Sequence, residues 1–193
     1  MLAGRTLRAG VRLADVPVWL AECEAYATRH GYRHELAHAR LTRAIYERIS
    51  GRPESALPML DAVLLIFRQA GDLRCVARTL IELAARQSGL DQAEAVDLLL
   101  QALPSAAMTE EAVRRTVLTK LVGSADAAGD LVLAARCLGA LQALRQPGRP
   151  GSPAQDCDVD QALARRLTHG AYATYFGEGL AGGTGLLTTL YPR

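Results

Sequence analysis

Apolar positions recur along the chain with a helical period. Between residues 53 and 70, Leu57, Leu60, Leu64 and Phe67 fall at i, i+3, i+7 and i+10, with Val63 alongside. Such spacing lines up one stripe on a helix. Residues 73–88 repeat it with Val76, Leu80, Leu83 and Ala84, and residues 110–127 with Val113, Val117 and Leu121, widened by Leu118 and Val122. No stretch alternates with period two for long enough to form a strand. The pattern predicts helices near 4–13, 16–30, 33–49, 53–70, 73–88, 92–103, 110–127, 130–146, 157–168 and 170–177.

Glycines punctuate this pattern at 31, 51, 71, 89, 129 and 148, and Met108-Thr109 fills the one gap. The interval is about 20 residues, the length of a helix plus a short turn. Glycine suits these points because the residue after a helix often adopts the left-handed conformation. Start signals follow. Asp72 opens the segment after Gly71, Asp91 has Glu94 three residues on, and Asp15 precedes Pro17. Thr109 is expected to cap a helix that begins with Glu110 and Glu111. The stretch QPGRPGSPAQ at 146–155 reads as a linker.

Two helices per unit imply a repeat of about 40 residues, and the chain carries one. The step from Ala56 to Ala95 is repeated from Ala95 to Ala134, and Gly51 and Gly129 stand two such steps apart. A small residue at these places lets a second helix press against the first. The expected fold is all-α, an α-solenoid of stacked antiparallel hairpins wound as a right-handed superhelix. Residues 1–146 form the repeats, with units near 33–70, 73–103 and 110–146. A Pro/Gly linker follows at 147–155, then a C-terminal helical cap and irregular tail at 156–193.

The turn, the alanine and the small or apolar residue seven positions on resemble the second helix of a tetratricopeptide repeat. The run ALPMLDAVLLIFRQAGDLRCVARTLIELA resembles the long-helix form of that repeat in large bacterial LuxR-type and SARP-type transcriptional regulators. AARCLGALQALR, the linker, a final helical pair and YATYFGEGL are similar to the C-terminal end of those regulators. Phe176 stands where that family has Trp and Gly177 where it has Ala, while Glu178 and Gly179 are kept. The closing GGTGLLTTLYPR departs from the acidic amphipathic helix of the family. The resemblance implies a bacterial interaction or effector-sensing module, whose ATPase and DNA-binding parts would lie elsewhere.

Composition fits a helical protein. The 193 residues include 34 Ala and 31 Leu, strong helix formers, and only 5% are aromatic. A net charge of +2 argues against a generally basic nucleic-acid binder. No stretch of about 18 uncharged apolar residues suggests a membrane span, and the N-terminal MLAGRTLRAGVRLAD lacks the apolar core of a signal peptide. The expected location is the cytoplasm. Cys23, Cys75, Cys137 and Cys157 show no zinc-type spacing. The first three lie in apolar helical patterns and are expected to be buried, reduced thiols.

Two motifs carry candidate chemistry. His34-Glu35-Leu36-Ala37-His38 is a complete HExxH. On a helix its histidines share a face and can share a zinc ion, with Glu35 as general base. A third ligand is needed, and the metzincin position for it, beyond His38, is occupied by Ala44. Glu47 and Glu54 lie out of reach along the helix, which leaves His30 across the Gly31 turn. The expectation is that His34 and His38 face solvent with no third carboxylate or imidazole nearby. Gly177–Gly182 is formally GxGxxG, but the short stretch from Gly183 to Arg193 leaves no room for a βαβ unit.

The sequence therefore reads as a non-catalytic tetratricopeptide-like module for protein–protein interaction or effector sensing, with no cofactor and no metal. A protein or peptide partner is expected in the concave groove lined by the first helices, 33–49, 73–88 and 110–127, with self-association as a further possibility. His38, Arg48, Arg78 and Arg86 are the candidate contacts. The alternative is a zinc-dependent hydrolase using the HELAH segment at 34–38.

Overall fold

The computed structural model describes residues 15–86, 91–144 and 153–191, without the side chains of Arg86, of 153–159 and of His169. The expected helix at 4–13, Gly89 and Gly148 lie outside the described residues, as do positions 147–152 of the linker. The regular elements described are all helical: α1 (Val16–Arg29), α2 (Arg33–Ile49), a 3-10 turn (Pro53–Ala56), α3 (Leu57–Ala70), α4 (Leu73–Arg86), α5 (Gln92–Ala107), α6 (Glu111–Ala128), α7 (Leu131–Ala143), α8 (Pro153–Arg166) and α9 (His169–Leu190). The chain is thus all-α, as its apolar period predicts. None of these helices is long and apolar enough to cross a membrane.

One turn geometry recurs. Gly31, Gly51, Gly71 and Gly129 have φ between 66 and 82°. Beyond them the amides of Tyr32, Arg52, Asp72 and Asp130 bond back to the carbonyls of Ala27, Glu47, Phe67 and Ala125 at 2.8–3.0 Å. This six-to-one bond satisfies a carbonyl that the ending helix leaves without a partner. At two of these turns an aspartate opens the next helix. The Asp72 Oδ1 accepts from the Cys75 amide at 3.0 Å, and the Asp130 Oδ1 accepts from the Leu133 amide at 2.9 Å.

The chain divides into two compact units, residues 1–86 and 87–193. The boundary falls inside the expected pair 73–103. In the first unit α1 packs on α2, α2 on α3 and α3 on α4, and α2 also touches α4. Its core is built from the expected stripes, with Leu60, Val63, Phe67, Val76, Leu80 and Leu83 all buried. In the second unit α6 lies between α5 and α7, and α9 packs against α7 and α5. Leu99, Leu103, Leu118, Leu121 and Leu133 fill that core with Leu187 from α9. Ala56, Ala95 and Ala134, the residues that mark the repeat step, are 3, 1 and 0% exposed.

Several local expectations change, among them the linker at 147–155, since α8 already begins at Pro153. Thr109 does not cap α6: its hydroxyl donates to the Ala106 carbonyl, finishing α5, and Glu110 takes the cap position. Asp15 precedes α1 without a side-chain capping bond. Helix α5 runs through Pro104 to Ala107 rather than stopping at 103. Proline there sacrifices one helical hydrogen bond, while buried Leu103 and Ala106 on either side keep the turn in the core. Last, the tail after Gly179, expected to be irregular, is helical to Leu190, broken only at Gly183, whose φ is 54°. Two glycines serve packing between this helix and α7. A Cβ on Gly179 would stand 2.7 Å from the carbonyl carbon of Arg136, and one on Gly139 would stand 2.8 Å from the Leu180 amide nitrogen. Backbone meets backbone where α7 and α9 cross.

Candidate functional site at the starts of α2 and α4

The HELAH segment occupies the first turns of α2, so His34 and His38 project from one face one turn apart. Their rings meet edge to face at 4.6 Å between centroids. Phe67 of α3, fully buried, lies beneath both at 5.7 and 5.1 Å. Beside them α4 begins. The Asp72 Oδ2 lies 3.2 Å from the His34 Nε2 and 3.7 Å from the His38 Nε2. The expectation that no third donor approaches the pair is therefore overturned. After the antiparallel return through α3, the chain brings the start of α4 alongside the start of α2. His30, the donor considered in its place, packs against Tyr26 and Tyr32.

One donor from each of His34, His38 and Asp72 lies within 4.8 Å of the others. The histidine side chains are 41 and 43% exposed and Asp72 is 22% exposed, so the cluster opens to solvent. Burial, followed by the neighbouring His34, lowers the pKa of His38 and outweighs the opposing pull of Asp72. For Asp72, burial on its own would raise the pKa. Hydrogen bonds from Cys75 and His34, with the charge of His38, more than offset that and hold the carboxyl below its usual range. Cys75 closes the inner side, its Sγ 3.6 Å from the His38 Nδ1. Burial and the Asp72 carboxylate push this thiol up to about 12.

The other candidate contacts are dispersed. Arg48 pairs with Glu82 of α4 at 2.7 Å, above a crevice lined by Ala44, Pro53, Ala56 and Leu60 that is too narrow to hold even a water molecule. Arg78 is half-buried on α4, and its charge is felt at His38 and Cys75. The Arg86 side chain lies outside the described residues. Cys75 and Cys137 are buried as expected, whereas Cys23 is exposed, and the Cys157 side chain lies outside the described residues.

Asp72, Cys75 and Phe67 are the members of the cluster that motif reading misses. A signal for Asp72 exists, since it follows His34 by nearly the same step that relates Ala56 to Ala95 and Ala95 to Ala134. The glycine motif at 177–182 forms no phosphate loop and lies within α9. There Glu178 pairs with Arg136 at 2.8 Å, and Arg136 also donates to the Tyr191 hydroxyl and stands over the Tyr175 ring. No protein-family model matches the chain, and neither a curated protein nor a solved structure matches it.

Proposed function

We propose that the chain is a non-catalytic, tetratricopeptide-like module that binds a protein or peptide partner along the face formed by α2 and α4. The observation that carries this reading is the contact of α2 with α4, the helix two further on, as well as with α3. Stacked hairpins bring alternate helices together in this way. The buried alanines at 56, 95 and 134 support the same period. Descent from bacterial LuxR-type or SARP-type regulators belongs to the same proposal and rests on the resemblance at residues such as Glu178 and Gly179. Of the candidate contacts, His38, Arg48 and Arg78 are partly exposed on α2 and α4.

The test pans a random-peptide library on the whole chain and maps the selected peptides by hydrogen exchange. The reading expects protection on α2 and α4 and loss of binding in Arg78→Glu. Peptides that protect only α3, or a library that yields none, would contradict it. The hydrolase alternative gains a third zinc donor in Asp72. It requires zinc-dependent cleavage of an unfolded protein substrate that disappears in Glu35→Gln.

A further inference from the structure

The cluster at the starts of α2 and α4 has a property that partner binding does not need: three donors of metal-ligating type converge on one point. We propose that His34, His38 and Asp72 form a zinc site, with the two imidazoles and the Asp72 Oδ2 as ligands and a solvent-facing fourth position.

The spacing fits. Zinc holds nitrogen and oxygen ligands at about 2.0–2.2 Å, which places the donors of a tetrahedral centre roughly 3.3–3.5 Å apart. Asp72 Oδ2 lies 3.2 Å from the His34 Nε2 and 3.7 Å from the His38 Nε2, on either side of that value. A bare hydrogen bond would account for the His34 contact alone. The second imidazole, directed at the same oxygen, is left over. Two neutral nitrogens with one carboxylate suit zinc better than calcium or magnesium, which prefer oxygen-only shells.

The surroundings orient these ligands. The other Asp72 oxygen is fixed by the Cys75 amide at 3.0 Å, so the carboxylate cannot turn freely. Phe67 restrains both rings from below. Cys75 acts through His38 and is not itself a ligand, because its Sγ faces Nδ1, the nitrogen turned from Asp72. Cys75 suits either ring tautomer of His38: its thiol can donate to an unprotonated Nδ1, and its sulfur can accept from a protonated Nδ1 when zinc takes the Nε2 lone pair. A bound ion would clip the first turn of α4 to that of α2.

The site rests on residues 34–75 alone and stands independently of the partner-binding reading. Its test uses the untagged full chain, stripped with chelator and titrated with zinc chloride by calorimetry, with cobalt absorption in parallel. One zinc per chain is expected, together with a tetrahedral cobalt spectrum. Asp72→Asn and His38→Gln should each weaken binding at least ~100-fold, beyond the ~10–100-fold typical of losing an outer-shell partner. Asparagine caps a helix as well as aspartate does, so Asp72→Asn retains the turn while removing the ligand charge. Should that variant misfold, the half-exposed His34→Gln gives the same reading. Substituting His30 or Cys23 should leave the affinity unchanged. No zinc binding at about 1 mM, or one-to-one binding that survives both Asp72→Asn and His38→Gln, overturns the proposal.

Discussion

Replacing Gly179 by alanine tests the account of how the second unit is packed. In an exposed helix the change would stabilise by about 0.8–1 kcal/mol, because alanine is the better helix former. Here the new methyl would stand 2.7 Å from the Arg136 carbonyl carbon and 2.9 Å from its Cα. Both are backbone atoms, so no rotamer change relieves the clash. The Arg136 carbonyl oxygen stands closer still, and ordinary contact begins near 3.4 Å, so α9 must retreat from α7 by more than ~0.7 Å. Overpacking of this kind costs about 1–3 kcal/mol, which exceeds the propensity gain. Gly139→Ala meets the opposite helix in the same way. Gly123 and Gly177 are the internal controls, since a Cβ at either meets nothing within 4 Å. Urea unfolding followed by far-ultraviolet circular dichroism should show Gly179→Ala and Gly139→Ala less stable than the parent by about 1–2 kcal/mol, with Gly123→Ala and Gly177→Ala equal or more stable. If Gly179→Ala matched the controls, the crossing described for α7 and α9 would be wrong.

The remaining expectations concern protons and thiols in the metal-free chain. Folding lowers the pKa of His38 below 6.5 and that of Asp72 below 3.8, so the unfolded chain binds more protons and stability decreases as pH is lowered. The His38 contribution declines as pH drops through 6.5 toward the lower folded value, and the Asp72 contribution is lost as pH falls below 3.8. His38→Gln should flatten the urea midpoint between about pH 7 and 5, and a parent midpoint already flat there contradicts the argument. Burial raises the Cys137 thiol, as burial and Asp72 raise Cys75 to about 12, whereas Cys23 is exposed. With Cys157→Ser in place, one thiol should react promptly with Ellman's reagent near pH 8 and two only on unfolding. Prompt reaction that persists in a further Cys23→Ser variant would refute the assignment.

Much of this fold is legible in the sequence because its helices are amphipathic and its turns end in glycine. Leu60, Val63, Phe67 and Leu80 lie on the stripe and in the core alike, and Gly71 and Gly129 hold the left-handed turns their positions suggest. Legibility fails where one residue type serves two ends. Thr109 is a good cap by composition, but the nearer unsatisfied group is a carbonyl of the helix it follows. The tail is expected to be irregular, although only Gly183 breaks α9 and Gly179 admits a neighbouring backbone. The site shows the same division. HELAH is plain in the sequence, whereas Asp72 looks like an ordinary cap because its relation to His34 lies across a helical return. Reading the repeat period as a spatial operation as well as a recurrence brings the two together. Cys75 and Phe67 carry no such signal, since any buried cysteine or phenylalanine looks alike along the chain.

The zinc site at the starts of α2 and α4 is tested most directly by zinc K-edge absorption on the loaded, dialysed chain. Two imidazoles at about 2.0–2.1 Å with oxygen completing the shell, and no sulfur near 2.3 Å, would place the ion between His34, His38 and Asp72. A sulfur shell, or an edge no stronger than that of the dialysis buffer, would contradict it.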